Sequence, residues 1–247
     1  MLGVPAPALV EHRFTLDVPP IPFRAAHRKL ELFRAFADGA FGPAAALVDI
    51  DALLTRPWPL PCRTGALQAY DITDDLAPAG DGFADDLTAV LGRAPTYVRW
   101  WGGEFIAGDA AAFAALADAV ERLWPRYLAV VDRLRHVGDE AVTSAALAEL
   151  AAAGLAPDEV GGVGVRRWWS ARTWVRPRFT LAEASEAALL HLPADKPFLA
   201  RYADPARSLD GFARAYRRHV ATKLPQRRLA SLAERLTGRP AKFAPRL

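Results

Sequence analysis

The sequence predicts an α/β body with a mixed, mostly parallel sheet flanked by helices, followed by a C-terminal helical appendage. Three observations predict this. Short continuous apolar runs of strand length, such as Ala44-Ala45-Ala46-Leu47-Val48 after Pro43, alternate with longer stretches of helical period. Capping and stop residues bracket those stretches, with Asp109 and Asp139 at their starts and Gly39 and Gly154 at their ends. Beyond Pro205 no strand signal remains, so residues 1–205 form the body and 206–247 the appendage.

In chain order, Ala8–Leu16 reads as a strand, separated from the first helix by Pro19, Pro20 and Pro22. Leu30, Phe33 and Ala37 mark that helix over Ala25–Ala37, and Pro43–Ile50 is a buried strand with Asp49 and Asp51 at its carboxyl end. Asp71–Asp86 is loop-rich, with Pro78, Gly80 and Gly82, and yields to an extended aromatic stretch over Thr96–Ile106. Asp109 caps an alanine-rich helix over Ala110–Trp124, Pro125 interrupts it, and a further helical piece reaches Leu134. A second capped helix covers Ala141–Ala153. Gly161–Val175 has β character, Thr180 and Glu183 spell a capping box, and Ala187–Leu192 is an apolar strand with His191 near its end. The tail is helical from Ser208 and restarts at Pro225, a hairpin whose apolar face, including Leu209, Phe212, Tyr216, Leu229 and Leu232, packs on the body or on a second subunit as a homodimer.

With 52% apolar and 24% charged residues the chain is globular, and no apolar run approaches the span of a bilayer. Met1–Val10 lacks the features of a secretory signal and Cys62 has no second cysteine to pair with, so the expected setting is cytoplasmic. The net charge of +3 is spread too thinly for a nucleic-acid partner. Its one dense stretch, Arg214, Arg217, Arg218, Lys223, Arg227, Arg228 and Arg235, has the spacing of wet helix faces; the other reading of it is peripheral contact with acidic lipid headgroups or an anionic partner. One cysteine and five scattered histidines give no zinc-site spacing, and no glycine-rich phosphate loop or nucleophile elbow is present.

The residues with chemistry gather at strand ends. Asp49 and Asp51, one residue apart, point to one side in extended geometry and together suit a hard divalent cation. His191 ends another strand and offers a third ligand, while Lys196 five residues later offers a point charge for a phosphate oxygen. The Gly102-Gly103 pair lets backbone approach backbone or ligand.

In order along the chain, these stretches resemble the retaining glycosyltransferases related to glycogenin and to bacterial lipopolysaccharide galactosyltransferases, which have a glycosyltransferase A fold. The matching pieces are Asp49-Ile50-Asp51, the aromatic and glycine-containing run Tyr97–Gly108, the acidic pair Asp139-Glu140 opening a helix, and His191 followed by Lys196-Pro197-Phe198. The resemblance implies a metal-dependent transferase moving a sugar from a nucleotide-sugar donor to a saccharide or other hydroxyl acceptor, with Mn²⁺ or Mg²⁺ as cofactor. It implies that Asp49, Asp51 and His191 ligate the metal, that Asp49, Lys196, Lys29 and Gly103 hold the nucleotide, and that Asp139 or Glu140 meets the donor sugar. In that family a first strand, helix and second strand precede the acidic pair over a longer stretch than is available here, so the fold is expected to be N-terminally short. The family's glycine between histidine and lysine is replaced by Pro193-Ala194-Asp195, and Asp195 is expected to set a negative charge beside the phosphates.

Two rival readings use the same residues. In a haloacid-dehalogenase-like phosphatase Asp49 would be the nucleophile and Asp51 the acid/base, with Gly138-Asp139 as a later motif; but Thr143 and Ser144 stand where a second acid is needed, and Asp132–Val137 reads as a helix end rather than a strand. In a non-catalytic relative that keeps the fold for binding, Trp100, Trp101, Trp168, Trp169 and Trp174 would form a sugar- or protein-binding surface.

Overall fold

The computed structural model describes residues 10–76, 82–170, 179–202 and 208–237. The amino-terminal end of the first predicted strand, Pro78, Gly80 and Trp174 lie outside the described residues. Residues 10–16 carry no strand; they lie along the neighbouring helix, where Glu31 accepts from the backbone N–H groups of Thr15 and Leu16.

The helix expected over 25–37 forms as α1 (Arg24–His27), a 3-10 turn (Arg28–Leu30) and α2 (Glu31–Ala37), and Gly39 takes the left-handed backbone that ends it. The strands are β1 (Ala44–Val48), β2 (Ala52–Leu54), β3 (Gln68–Asp71), β4 (Trp101–Asp109), β5 (Asp158–Glu159), β6 (Val165–Arg167) and β7 (Leu189–His191). They make two sheets, in the orders β1-β4-β3-β5 and β2-β7-β6. β1 with β4, β3 with β4 and β2 with β7 are antiparallel, while β3 with β5 and β6 with β7 are parallel. The class is therefore α/β with mixed sheets, but the expectation of a mostly parallel sheet is corrected: antiparallel pairs dominate among the described residues. β1 is corrected too. It is an edge strand in which only Leu47 is buried, because a run of alanines reads as apolar while having little side chain to bury.

The other helices are α3 (Thr73–Leu76), α4 (Phe83–Leu91), α5 (Ala110–Val130), α6 (Asp139–Ala152), α7 (Leu181–Ala184), α8 (Lys196–Tyr202) and α9 (Leu209–Thr237). α3 lies inside the Asp71–Asp86 stretch read as loop-rich and α4 begins inside it; α4 starts after Gly82 with no side-chain cap, so the usual start signal is missing. Asp109 caps α5 by accepting from the Ala112 N–H, and α5 runs through Pro125, which forfeits one intrahelical donor without ending the helix. Asp139 is the first residue of α6 and does not cap it; Gly138 holds the cap position. The Thr180–Glu183 capping box forms. No strand precedes Gly138, since Val131–Arg133 is a 3-10 turn, which removes an element the phosphatase reading needs.

α5 and α6 pack with α2, α4 and the larger sheet around Phe33, Phe113, Leu116 and Leu147. A second cluster joins Trp168, Leu190, Leu192 and Phe198 of the smaller sheet and α8 to Phe212, Tyr216 and Val220 of α9. Among the described residues of the tail α9 is thus one long helix, with no hairpin turn at Pro225: its first half is seated on the body, and Leu229, Leu232 and Leu236 are exposed. Trp100, Trp101 and Trp168 are 1%, 1% and 3% exposed, so three of the tryptophans offered as a binding surface are core. No helix among the described residues is long and apolar enough to cross a membrane.

Candidate metal centre

The two acids sit where the chain crosses from one sheet to the other. The Asp49 N–H still bonds to the Glu104 carbonyl of β4, at 3.1 Å, whereas the Asp51 carbonyl accepts from Leu192 N–H, at 2.9 Å, just past β7. Between them the backbone turns and Ile50, 94% exposed, points outward. Both carboxylates therefore face inward at the seam. In the β2–β7 register Ala52 pairs with His191, which brings the imidazole to the same place.

Ligand atoms of Asp49, Asp51 and His191 lie within 4.8 Å of one another. His191 Nε2 is 3.3 Å from Asp51 Oδ1 and 3.9 Å from Asp49 Oδ2. Both Asp51 carboxylate oxygens and His191 Nε2 are buried without a hydrogen-bond partner, because the short separations among them miss hydrogen-bond geometry. Buried polar atoms rarely go unpaired, and three that face one another are the donor set of a divalent cation: two hard carboxylates and an imidazole. Burial would lower the His191 pKa, but Asp51 and Glu104 raise it to about 9, so the acids hold a proton on the ring in the place a cation would take. Burial would raise the Asp51 pKa, while His191 and Lys196 bring it down to about 2.

Around the three ligands stands a ring of charge. Lys196 Nζ, on an exposed side chain at the start of α8, is 3.2 Å from Asp51 Oδ2. Lys29 Nζ lies 2.9 Å from Asp49 Oδ1 and 2.9 Å from Asp139 Oδ2, and donates to the Gly103 carbonyl at 3.1 Å. Its burial opposes the charge, but Asp139 and Asp49 outweigh that and raise its pKa. Glu140 accepts from Gly103 N–H at 3.2 Å and from Trp100 Nε1 at 3.3 Å. The two glycines are sterically required here. A Cβ on Gly103 would lie 2.8 Å from Asp139 Oδ2 and one on Gly102 would lie 1.9 Å from Glu104 Oε2.

Each residue singled out from the sequence, Asp49, Asp51, His191, Lys196, Lys29, Gly103, Asp139 and Glu140, thus lies in one connected group. Asp195 does not. It is 2% exposed and accepts from Ser170 Oγ (2.5 Å), Tyr216 Oη (2.7 Å), His219 Nε2 (3.0 Å) and Lys223, so its charge is spent tying α9 to the body instead of facing the centre.

Two residues of the group were not foreseen. Glu104, fully buried, receives two hydrogen bonds from Arg167, at 2.8 and 2.7 Å, and its Oε1 lies 3.2 Å from His191 Nδ1; Arg167 also reaches Glu140 at 2.9 Å. Glu104 thereby fixes the imidazole with Nε2 toward the acids, the arrangement of a metal-ligating histidine and its carboxylate partner. The available signal was a lone acid inside an apolar aromatic strand. Arg167 had none, since Arg166 beside it is the same residue type.

No protein-family model matches this chain, and no curated protein matches it.

Proposed function

We propose that this protein is a metal-dependent glycosyltransferase that uses a nucleoside-diphosphate sugar. The observation carrying the reading is the set of three buried donor atoms that make no hydrogen bond, two on Asp51 and one on His191, converging beside Asp49 with two lysines in ion-pair contact at the rim. Asp49, Asp51 and His191 would hold Mn²⁺ or Mg²⁺, which when bound supplies Lewis-acid stabilisation of the leaving diphosphate.

The chain's own residues supply the rest. Lys196, more than half exposed, can swing its ammonium to a phosphate oxygen at little conformational cost, whereas Lys29 is held between two carboxylates and orients Asp49 and Asp139. Asp139 and Glu140, at the first turn of α6, present acceptor oxygens to the hydroxyls of the donor sugar. In the transfer the bond from the sugar's anomeric carbon to the diphosphate oxygen breaks, its electron pair leaves on the nucleoside diphosphate, and a bond to the acceptor oxygen forms as that hydroxyl releases its proton.

The test is a calorimetric titration of the purified protein with uridine and guanosine diphosphates, each with and without Mn²⁺. Binding of one diphosphate that requires the metal supports the reading. An absence of nucleotide binding under every metal condition sinks it and leaves a non-catalytic relative of the same fold as the better account.

A further inference from the structure

Of the carboxylates around the metal centre, Asp49, Asp139, Glu104 and Glu140 are each tied to a cation that is itself tied twice. Lys29 Nζ lies 2.9 Å from both Asp49 Oδ1 and Asp139 Oδ2, while Arg167 reaches Glu104 at 2.7 Å and Glu140 at 2.9 Å. Both basic side chains are largely buried, at 21% and 8% exposed. Neither leaves without stranding two acids.

Asp51 is served differently. Its side chain is 1% exposed and its Oδ2 lies 3.2 Å from Lys196 Nζ, yet neither of its oxygens makes a hydrogen bond. The Lys196 side chain is 59% exposed, and among the described residues no second acid lies within ion-pair reach of it. An ion pair with one solvated partner and no directional bond is weakly held. Lys196 thus puts a positive charge on an acid of the donor set while being the most easily detached of the basic side chains around it. The backbone beneath it is fixed, because Lys196 opens α8 and Phe198 of that helix is packed in the second core, so only the side chain has to swing. An ammonium on a flexible stem suits a phosphate oxygen equally well.

We propose that Lys196 is the exchangeable counter-ion of the metal centre: it pairs with Asp51 until Mn²⁺ or Mg²⁺ arrives and then passes to the diphosphate of the nucleotide sugar, so that metal and nucleotide each favour the other's binding. This inference rests on the glycosyl-transfer reading. Linkage makes the effect mutual, since a lysine drawn off Asp51 by the diphosphate leaves that acid open to the metal. An ordinary phosphate contact has no such double role. Its loss would weaken the nucleotide and leave the affinity for the metal unchanged, whereas loss of a cation that competes with the metal must tighten it.

The test is calorimetry of Mn²⁺ binding to the full chain, without nucleotide and again in saturating uridine or guanosine diphosphate, for the parent, Lys196→Ala, Lys196→Arg and Arg201→Ala. Arg201, exposed in the last turn of α8, controls for bulk charge. Lys196→Ala is expected to bind Mn²⁺ alone about fivefold more tightly than the parent, the upper end for a pair with one exposed partner, and to gain less from the diphosphate. Lys196→Arg and Arg201→Ala should stay close to the parent. If Lys196→Ala binds Mn²⁺ alone no more tightly than the parent, or if Arg201→Ala tightens it equally, the inference is wrong, and the transferase reading stands so long as the parent binds a diphosphate with the metal. If the parent binds no diphosphate under any metal condition, that reading falls and the exchange falls with it.

Discussion

Glu104 and Arg167 form a doubly hydrogen-bonded ion pair in which the carboxylate is fully buried and the guanidinium side chain is 8% exposed. Burial works against both charges, yet each holds the other ionised: Arg167, then His191, lowers the Glu104 pKa, and Glu104, then Glu140, raises that of Arg167. Such a pair fixes geometry more surely than it adds stability, because its attraction is largely offset by the loss of water.

The first prediction rests on that asymmetry. Arg167→Met leaves Glu104 with His191 as its remaining cationic partner, and should lower unfolding stability by roughly 3–5 kcal/mol in urea denaturation. The double variant Glu104→Leu/Arg167→Met should recover a good part of the loss, since both charges are then gone. A single variant as stable as the parent would mean that water reaches Glu104.

The second concerns the rim. Lys196→Ala removes an exposed side chain, so thermal stability should change by no more than about 0.5–1 kcal/mol. On the proposed function it should weaken nucleoside-diphosphate binding by about 1.5–3 kcal/mol, the worth of a hydrogen bond to a charged group. Asp51→Asn, which keeps the shape, should abolish the metal dependence altogether. Parent-like calorimetric binding by Asp51→Asn in Mn²⁺ would take the ligand role from Asp51.

The centre was legible in the sequence to the extent that strand ends are legible. Asp49, Asp51 and His191 each sit at or just past the end of an apolar run, but the acids converge through a turn at residues 50–51 and not through the extended geometry on which the period-2 expectation rested. The direction of the sheets was not legible, because pairing is decided by contacts far apart in the chain; no local pattern tells that Ala44–Val48 runs against Trp101–Asp109. The same limit hid the Glu104–Arg167 pair, whose members are separated by 63 residues. Asp195 misled for a related reason. Proximity to Lys196 in sequence suggested proximity to its ligand, but α8 begins between them and the two side chains part, one to the rim and one to the interior.

Asp195 therefore carries a pH prediction. Burial would raise its pKa, but Lys223, Ser170, Tyr216 and His219 hold it below the ordinary carboxylate value. A group whose folded pKa is depressed adds stability that is present above its unfolded pKa, about 3.9, and is lost as the pH falls through the folded value. Asp195→Asn should destabilise the protein at neutral pH, and the gap from the parent should close as the pH drops below about 4. Denaturation midpoints of the two proteins from pH 7 to pH 3 check the sign; a gap that widens toward acid would place the stabilising proton balance elsewhere.

The last prediction separates the two halves of α9. Phe212, Tyr216 and Val220 are 9%, 2% and 7% exposed and share a cluster with Trp168, Leu190, Leu192 and Phe198, so the first half of the helix closes the second core. Leu229, Leu232 and Leu236 are 68%, 54% and 78% exposed and cover nothing among the described residues. Deleting residues 206–247 should uncover an apolar patch larger than the few hundred Å² that monomers usually expose, and should also take away three of the partners of the buried Asp195 carboxylate. That protein is expected to aggregate. Deleting only residues 226–247 removes neither the cluster residues nor His219 and Lys223, so it should leave thermal stability close to the parent and raise solubility by removing three exposed leucines. Size-exclusion chromatography and thermal melts of both truncations decide the matter: a soluble, monomeric product of the longer deletion would show that the second core does not depend on α9, whereas collapse of the shorter one would assign a structural role to the projecting half.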